Sequence, residues 1–551
     1  MATPLRRKRT FFVLMGREWP FLFFILGMYF SHIVWRWGCD FSIFPGDNID
    51  SRYQMACLEY NYIFWKKFPN VSLFNAPYFY PFDSSLLLSD SFLFTSIPYI
   101  IFRIMGINME YSFSFWLILG IFSKYVTAYY VLRKSFMPPW LSGAGAFLFA
   151  LSLPILGMLD PKTLYLFATP LTLYYFQMFI SSMNVKYLRI SVMWLGVQGL
   201  FFIQGGYMLA FCLMIMFMLY FLLYVRSVSI LWKSYIVGIF SLRSIPYLLP
   251  LSLYVIIAIL HTRYTYNREP ISLHVLSYFI SAPQSLIYHN IYAYFAHLLG
   301  PYAYIRAQMI GLITLFLFLL VALNSSARKN VIWKLFFYSF LAITLLTTSI
   351  NSKGQSMHDI FFKYFIGNDN AMNSTYRFTM VSIFLFAFAM VYGIANIQEL
   401  QWRKAIGFLL GIGVVVESWI IPNYYNSYKI GYFEQKVIVS EAVRRYKKSC
   451  HKAFVLIFDE SISIEKGEHL PYTTAAILTA LEVGLPTVNG YSTFCPPGGY
   501  CYGPEVRDSM AVANYLKYHG LSDNEIREQI LYLYVSKNSI INRVQQSTYC
   551  R

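Results

Sequence analysis

Eleven apolar stretches, separated by short and often basic loops, fill residues 19–421 of this chain. A helix needs about 20 predominantly apolar residues to cross the ~30 Å hydrocarbon core of a bilayer. Inside lipid, each backbone N–H and C=O must also be satisfied within the segment. Such a pattern predicts a bundle of membrane-spanning helices. Composition agrees, because charged residues make up only 13% of the 551 residues, against about 25% in a soluble domain. The expected spans are 19–38, 111–132, 141–157, 163–181, 188–204, 206–224, 244–261, 308–324, 331–349, 376–396 and 405–421. The first run continues from Trp19 to Trp37 without a small-residue cleavage site, so it reads as an anchor rather than a signal peptide.

The net charge of +18 reports topology rather than a nucleic-acid partner. Its basic residues cluster between spans, as Arg6 to Arg9, Arg133-Lys134, Arg328-Lys329 and Arg403-Lys404, which is the positive-inside pattern. A twelfth apolar stretch, Ser91–Met105, would break that pattern if it crossed. It is about 15 residues long and holds Pro98, so an interfacial or re-entrant helix is expected. The resulting topology has a cytoplasmic N-terminus and an extracytoplasmic C-terminus. It places 39–110, the turn at Asp160, 262–307, 350–376 and everything after about 422 outside. Cys39, Cys57, Cys450, Cys495, Cys501 and Cys550 then lie outside, and Cys212 lies in a span. An even outer set suits disulfides in an oxidising compartment, with Cys39–Cys57 and Cys495–Cys501 the pairs nearest in sequence.

Residues 422–551 form the second expected unit, after a membrane unit spanning 1–421. The expected elements are a strand at Ala453–Phe458, a helix at Thr473–Val483, a second strand at Leu485–Tyr491, and helices near Arg507–Tyr518 and Ser522–Leu533. Ser522 followed by Glu525 spells a capping box. The fold class expected is therefore an all-α polytopic membrane protein carrying a small C-terminal α/β domain. No fixed-period repeat, P-loop, GxGxxG, HExxH or paired CxxC occurs, so nucleotide and zinc chemistry have no support.

Candidate chemistry sits in the outer segments. Asp47 and Asp50 flank the end of Phe44-Pro-Gly-Asp47-Asn-Ile-Asp50, just after the first span. A carboxylate there can accept a proton from an incoming hydroxyl, and the two together can share a divalent cation. Asp50 is equally well placed to cap the helix that follows. Asp160 precedes Pro161 at the next outer turn, where it can face the same cavity or simply start a helix. Arg377, opening the tenth span on its outer side, can grip a phosphate with paired donors or snorkel to headgroups. Arg263 and Arg268 are weaker versions of the same idea. Lys124 and Glu417 lie inside spans, where a structural role is expected because each has an end or a partner within reach. His274 and His289 read as ordinary polar residues.

In architecture the chain resembles the GT-C superfamily of integral membrane glycosyltransferases. The stretches Gly46-Asp-Asn-Ile-Asp50, Leu58-Glu-Tyr60, Asn75-Ala-Pro-Tyr-Phe-Tyr-Pro81 and Ser89-Asp90-Ser91 resemble an uncharacterised bacterial branch of it. So do Asn489-Gly-Tyr-Ser492 and Pro496-Pro-Gly498 in the tail. The resemblance implies a GT-C-like fold, a polyprenyl-phosphate or polyprenyl-pyrophosphate sugar donor and inversion at the anomeric carbon. It maps the first-loop acid, as base or metal ligand, onto Asp47 and a second acid onto Asp160. The doubled-acid spellings of the best-studied members are absent, so it assigns neither metal dependence nor acceptor class. The expected partners are a polyprenyl-phosphate-linked sugar, a lipid, glycan or protein acceptor, and the lipids of a bacterial inner membrane. The rival reading is a transporter or lipid flippase. Such proteins often show two related halves, and no half-to-half similarity is present.

Overall fold

The computed structural model describes residues 20–30, 49–152, 161–224, 241–261, 287–288, 290, 310–348, 356–358, 360, 377–419, 429–463, 467–492, 496–498 and 508–536. It is mostly helical. In chain order come α1 (Pro20–Phe30), α2 (Asp50–Lys67), α3 (Ser96–Ile104), α4 (Met109–Lys134), α5 (Pro139–Leu151), α6 (Ala168–Ser182) and α7 (Val185–Phe201). Then follow α8 (Ile203–Tyr224), α9 (Ile245–His261), α10 (Leu312–Leu323), α11 (Val331–Thr347), α12 (Phe378–Ala395) and α13 (Leu400–Glu417). The C-terminal part holds α14 (Lys429–Tyr446), β1 (Ala453–Phe458), α15 (Leu470–Val483), α16 (Ser509–Tyr518), α17 (Asp523–Gln529) and β2 (Ile530–Val535).

Each expected span carries a helix. By length and composition, Met109–Lys134, Ile203–Leu222 and Phe378–Ala395 are long and apolar enough to cross a membrane, and shorter apolar helices accompany them. The protein is an integral, multi-pass membrane protein. Helix α12 is apolar all round and buried along nearly its whole length, as expected for the central helix of a bundle.

Glu417 shows how a buried charge is accommodated. It ends α13, and its carboxylate meets the N-terminus of α10. There it accepts from the backbone N–H of Ile313 (2.6 Å) and Thr314 (3.1 Å) and from the hydroxyls of Thr314 (2.6 Å) and Tyr288 (2.5 Å). It thus caps a neighbouring helix whose first N–H groups lack partners within their own helix. Gly311 precedes that helix at φ +133°, and a Cβ there would fall 2.1 Å from Glu417 Oε2. The structural role expected for Glu417 is this one. Lys124 is buried in α4 with its Nζ 4.6 Å from the Phe149 ring centroid.

Helix α3 is nine residues long, about 14 Å, too short to cross. Ser96, Tyr99 and Ile100 face inward while Ile97, Ile101 and Ile104 are exposed. Its Arg103 locks it to α2 through two bonds to Glu59, Nε to Oε2 and Nη2 to Oε1, each 2.9 Å. Tyr99 adds a third bond to the same carboxylate at 2.6 Å.

In the C-terminal part, β1 and β2 pair in parallel from Ala453 with Ile530 to Phe458 with Val535. Both faces are covered, so β1 is buried at all six positions. Phe454, Leu456 and Phe458 pack with Val439, Val443, Ala475 and Ala480 from α14 and α15. Ala453, Val455 and Ile457 pack with Val512, Leu516 and Ile526 from α16 and α17.

Three expectations are corrected here. The helix expected over Ser522–Leu533 stops at Gln529, because Ile530–Val535 is an alternating apolar segment that pairs with β1. Its capping box is present, with Ser522 and Glu525 bonding each other's backbone. The strand expected over Leu485–Tyr491 is reduced to a single bridge between Thr487 and Phe454. Beyond it the Asn489 side chain replaces a strand, accepting from Leu456 N–H (2.6 Å) and donating to Leu456 C=O (3.1 Å). Cys57, expected nearest Cys39, is a free thiol buried in α2, 3.9 Å from the Tyr78 hydroxyl. Cys450 is disulfide-bonded. Cys39, Cys495, Cys501 and Cys550 lie outside the described residues.

Replacing Glu417 by alanine strands the N–H groups of Ile313 and Thr314 in an apolar bundle. Each buried unpaired donor costs about 1–3 kcal/mol, so Glu417→Ala should lower the melting temperature of the detergent-solubilised protein clearly. Glutamine, which keeps one acceptor oxygen, should recover part of the loss.

Candidate functional site

The segment between α1 and α4, expected as the first outer loop, is folded against the C-terminal part rather than standing alone. Pro77 C=O accepts from Thr487 N–H (3.0 Å), Tyr80 N–H donates to Thr487 C=O (3.0 Å) and Phe79 N–H donates to Asn489 C=O (3.3 Å). Residues 77–80 therefore add their backbone to the edge that Thr487 makes beside β1. Tyr515 of α16 donates its hydroxyl to Phe79 C=O at 2.9 Å. Ile477 and Leu478 of α15 belong to the same apolar core as Met55 and Leu58 of α2. A salt bridge at 3.5 Å from Lys436 on α14 to Glu110 on α4 ties the other side.

The four residues Asn489 to Ser492 form the clasp between the two parts. Asn489 is bound to β1. Gly490 lies against the Phe79 ring, where an added Cβ would come within 2.1 Å of Cε1. Ser492 donates to Leu88 C=O. Tyr491 packs edge-on against Tyr53 at 5.4 Å between centroids, and its hydroxyl donates to Asp50 Oδ1 at 2.5 Å.

Asp50 is thus the acid that the structure places at this junction. It is the first residue of α2 rather than its cap. Ile49 occupies the capping position, and its side chain makes no capping bond. That corrects the capping alternative, since the carboxylate is engaged by Tyr491 while its charge still lies in the favourable first turn. Beneath it, Tyr53 and Tyr78 share a hydroxyl–hydroxyl bond of 3.1 Å. Burial pushes both phenols well above their ordinary range, aided by the nearby Cys57, so they stay protonated and serve as neutral polar links. Arg52, next on α2 but one, is fully buried.

Arg377 opens α12, where it reaches Gln204 near the start of α8. One turn along α8, the Tyr207 hydroxyl bonds His358 Nε2 at 2.7 Å. Phe211 and Phe378 close around the His358 ring at 5.3 and 5.0 Å. This second polar cluster is formed by His358 with the starts of α8 and α12. Asp47, Asp160, Arg263 and Arg268, with His274 and His289, lie outside the described residues, as does any encounter between them and either cluster.

Arg52, Gln204, Tyr207, His358 and Tyr491 were not singled out as site residues from sequence. For Tyr491 the quoted tail motif was the available signal. For Gln204 and Tyr207 a signal existed in their three-residue spacing, which within one helix puts them on one face. Among the described residues no group of three His, Cys, Asp or Glu gathers to hold a metal. Asp47, the acid expected to share a cation with Asp50, lies outside the described residues.

No protein-family model matches the chain, and no curated protein matches it. Among solved structures it is similar to the crystal structure of the Archaeoglobus fulgidus oligosaccharyltransferase in the apo form. That match has 15% sequence identity and a TM-score of 0.42, over 83% of this chain and 64% of that one. The chain thus spans less than two thirds of that protein's length.

A methyl group at Gly490 must displace Phe79, whose own carbonyl is bonded to Tyr515. Overpacking of this kind costs about 1–3 kcal/mol. Gly490→Ala should therefore loosen the clasp, read as faster proteolysis of the C-terminal part with the helical bundle left intact.

Proposed function

We propose that the chain is an inverting glycosyltransferase that takes a sugar from a polyprenyl-phosphate carrier at the outer face of a bacterial inner membrane. The carrying observation is the clasp, which seats a carboxylate at the start of α2 between the helical bundle and the C-terminal part. Amphipathic α3, with its exposed isoleucines, is bound to the same helix and supplies a lipid-facing wall. A hydroxyl acceptor and a lipid-borne donor can meet at such a place. The resemblance of the first outer loop and the tail motif to GT-C sequences supports the reaction class.

In this reading the spans run from a cytoplasmic N-terminus to an extracytoplasmic tail from about 422. The disulfide at Cys450 supports an oxidising location for that tail. Asp47, three residues before Asp50, takes the proton of the acceptor hydroxyl as that oxygen attacks the anomeric carbon. The bond from that carbon to the carrier phosphate breaks, with inversion. Arg377 holds the departing phosphate, with Asp160 as the second acid and Arg263 and Arg268 as further phosphate contacts. The sugar and the acceptor, whether lipid, glycan or protein, are set by residues beyond this acid and arginine chemistry.

General-base removal sets the first test. Asp47→Asn keeps the shape of the side chain and loses the proton acceptor, so transfer should fall by ~10²–10⁴-fold with donor binding nearly intact. Near-normal transfer by folded Asp47→Asn protein removes the assignment. Envelope glycans compared by mass spectrometry between a deletion strain and strains carrying each form provide the readout.

The phosphate contact is tested separately. A lost charge-assisted bond is worth ~1.5–3 kcal/mol, so Arg377→Ala should weaken donor binding about tenfold or more. Lysine should recover only part, because it lacks the planar fork. Unchanged donor affinity in the alanine variant excludes this role.

A further inference from the structure

Asp50 and Tyr491 are 441 positions apart, yet a 2.5 Å hydrogen bond joins them. The two partners are held very differently. Asp50 is exposed at the start of α2 and takes no part in a capping bond. Tyr491 is fixed on several sides: its ring by Tyr53, the residue before it by Phe79, and the residue after it by Leu88. Asn489 ties the same loop to both main-chain groups of Leu456. The anchored hydroxyl therefore sets the carboxylate, rather than the reverse. An O–H···O⁻ bond is short and directional, and an orienting contact matters because small misplacements near a reacting centre cost rate steeply.

We propose that Tyr491 is a positioning residue. Its hydroxyl orients the Asp50 carboxylate in the first outer loop, so that sugar transfer requires the tail loop to be seated on that loop. The proposal rests on the transferase reading and deepens it, because it makes a residue of the C-terminal part necessary to a site whose acids lie in the first outer loop. Asp50, held in place, fixes the start of α2, three positions after Asp47 in the sequence.

Tyr491→Phe keeps the ring against Tyr53 and removes only the hydroxyl. Purified full-length variants, added to membranes of a strain lacking the gene, draw on the donor and acceptor that those membranes contain. The glycan product is followed against the amount of membrane. The maximal rate of Tyr491→Phe should fall about tenfold, the scale of a lost charge-assisted bond. The amount of membrane giving half-maximal rate should stay within about twofold, and the melting temperature should match wild type, as a merely structural role would not. Asp50→Asn should lose a similar factor, and the double variant should lose no more than either single one. A wild-type maximal rate in Tyr491→Phe, or losses that multiply in the double variant, overturns the proposal. If wild-type protein itself forms no product, the transferase reading fails instead. The contact is then judged by limited proteolysis of the tail loop in the same four proteins: faster cleavage in each single variant, no greater in the double one, upholds it, and wild-type cleavage in Tyr491→Phe overturns it.

Discussion

The backbone and side-chain bonds between residues 487–492 and the first outer loop are the constraint on which the rest of the site depends. The loop from Asn75 to Ser89 has no long helix or strand of its own, so its polar backbone groups need partners from elsewhere. Thr487 and Asn489 supply them to Pro77, Phe79 and Tyr80. Without that edge, Phe79 and Tyr78 would lose the packing that keeps them buried, and α2 would lose the cover over Tyr53. The acid at its first turn would then lose its Tyr491 partner. With the edge in place, Asp50 is held between a bundle of apolar helices and an α/β layer.

Charge is placed by the same logic elsewhere. In a low-dielectric setting an unpaired carboxylate is costly, and both buried acids with a described surrounding are multiply bonded. Glu59 receives Arg103 in paired fashion and Tyr99 besides, which joins α3 to α2. Glu417 receives two backbone N–H groups and two hydroxyls, which joins α13 to α10. Neither is part of the proposed chemistry. Each fixes one helix to another, leaving exposed Asp50 as the acid at the clasp whose environment comes from a distant segment.

Much of the bundle was legible in sequence because a span must be apolar for its whole length, and eleven runs satisfied that. Charge parity and length made Ser91–Met105 an expected interfacial or re-entrant helix, and the helix found there, α3, is nine residues long. Strand β1 was readable as a bounded apolar run, and the Ser522–Glu525 capping box as a local rule. Failures occurred where a long-range partner decides the outcome. Ile530–Val535 continues a helical pattern until β1 is present to pair with it. Asn489 looks like a turn residue until its amide is seen to stand in for a strand. Asp50 has the spelling of a cap, yet Ile49 takes that position and Tyr491 takes the carboxylate. Cys57 looked pairable by proximity, but the interior of α2 keeps it a thiol beside Tyr78. His358 gave no signal, since its neighbours Tyr207, Phe211 and Phe378 come from two other segments.

The proposed function requires the tail loop to be seated on the first outer loop, on the outer side of the membrane. It is tested most directly by a cysteine pair at Leu88 and Ser492, the two residues joined at the clasp, in the full-length chain in intact cells. Treatment with a membrane-impermeant oxidant, followed by proteolysis and mass spectrometry, reads the bond. A cross-linked peptide containing both positions is expected before the cells are broken. A folded protein that gives no such peptide, or gives it only after the membrane is disrupted, contradicts it.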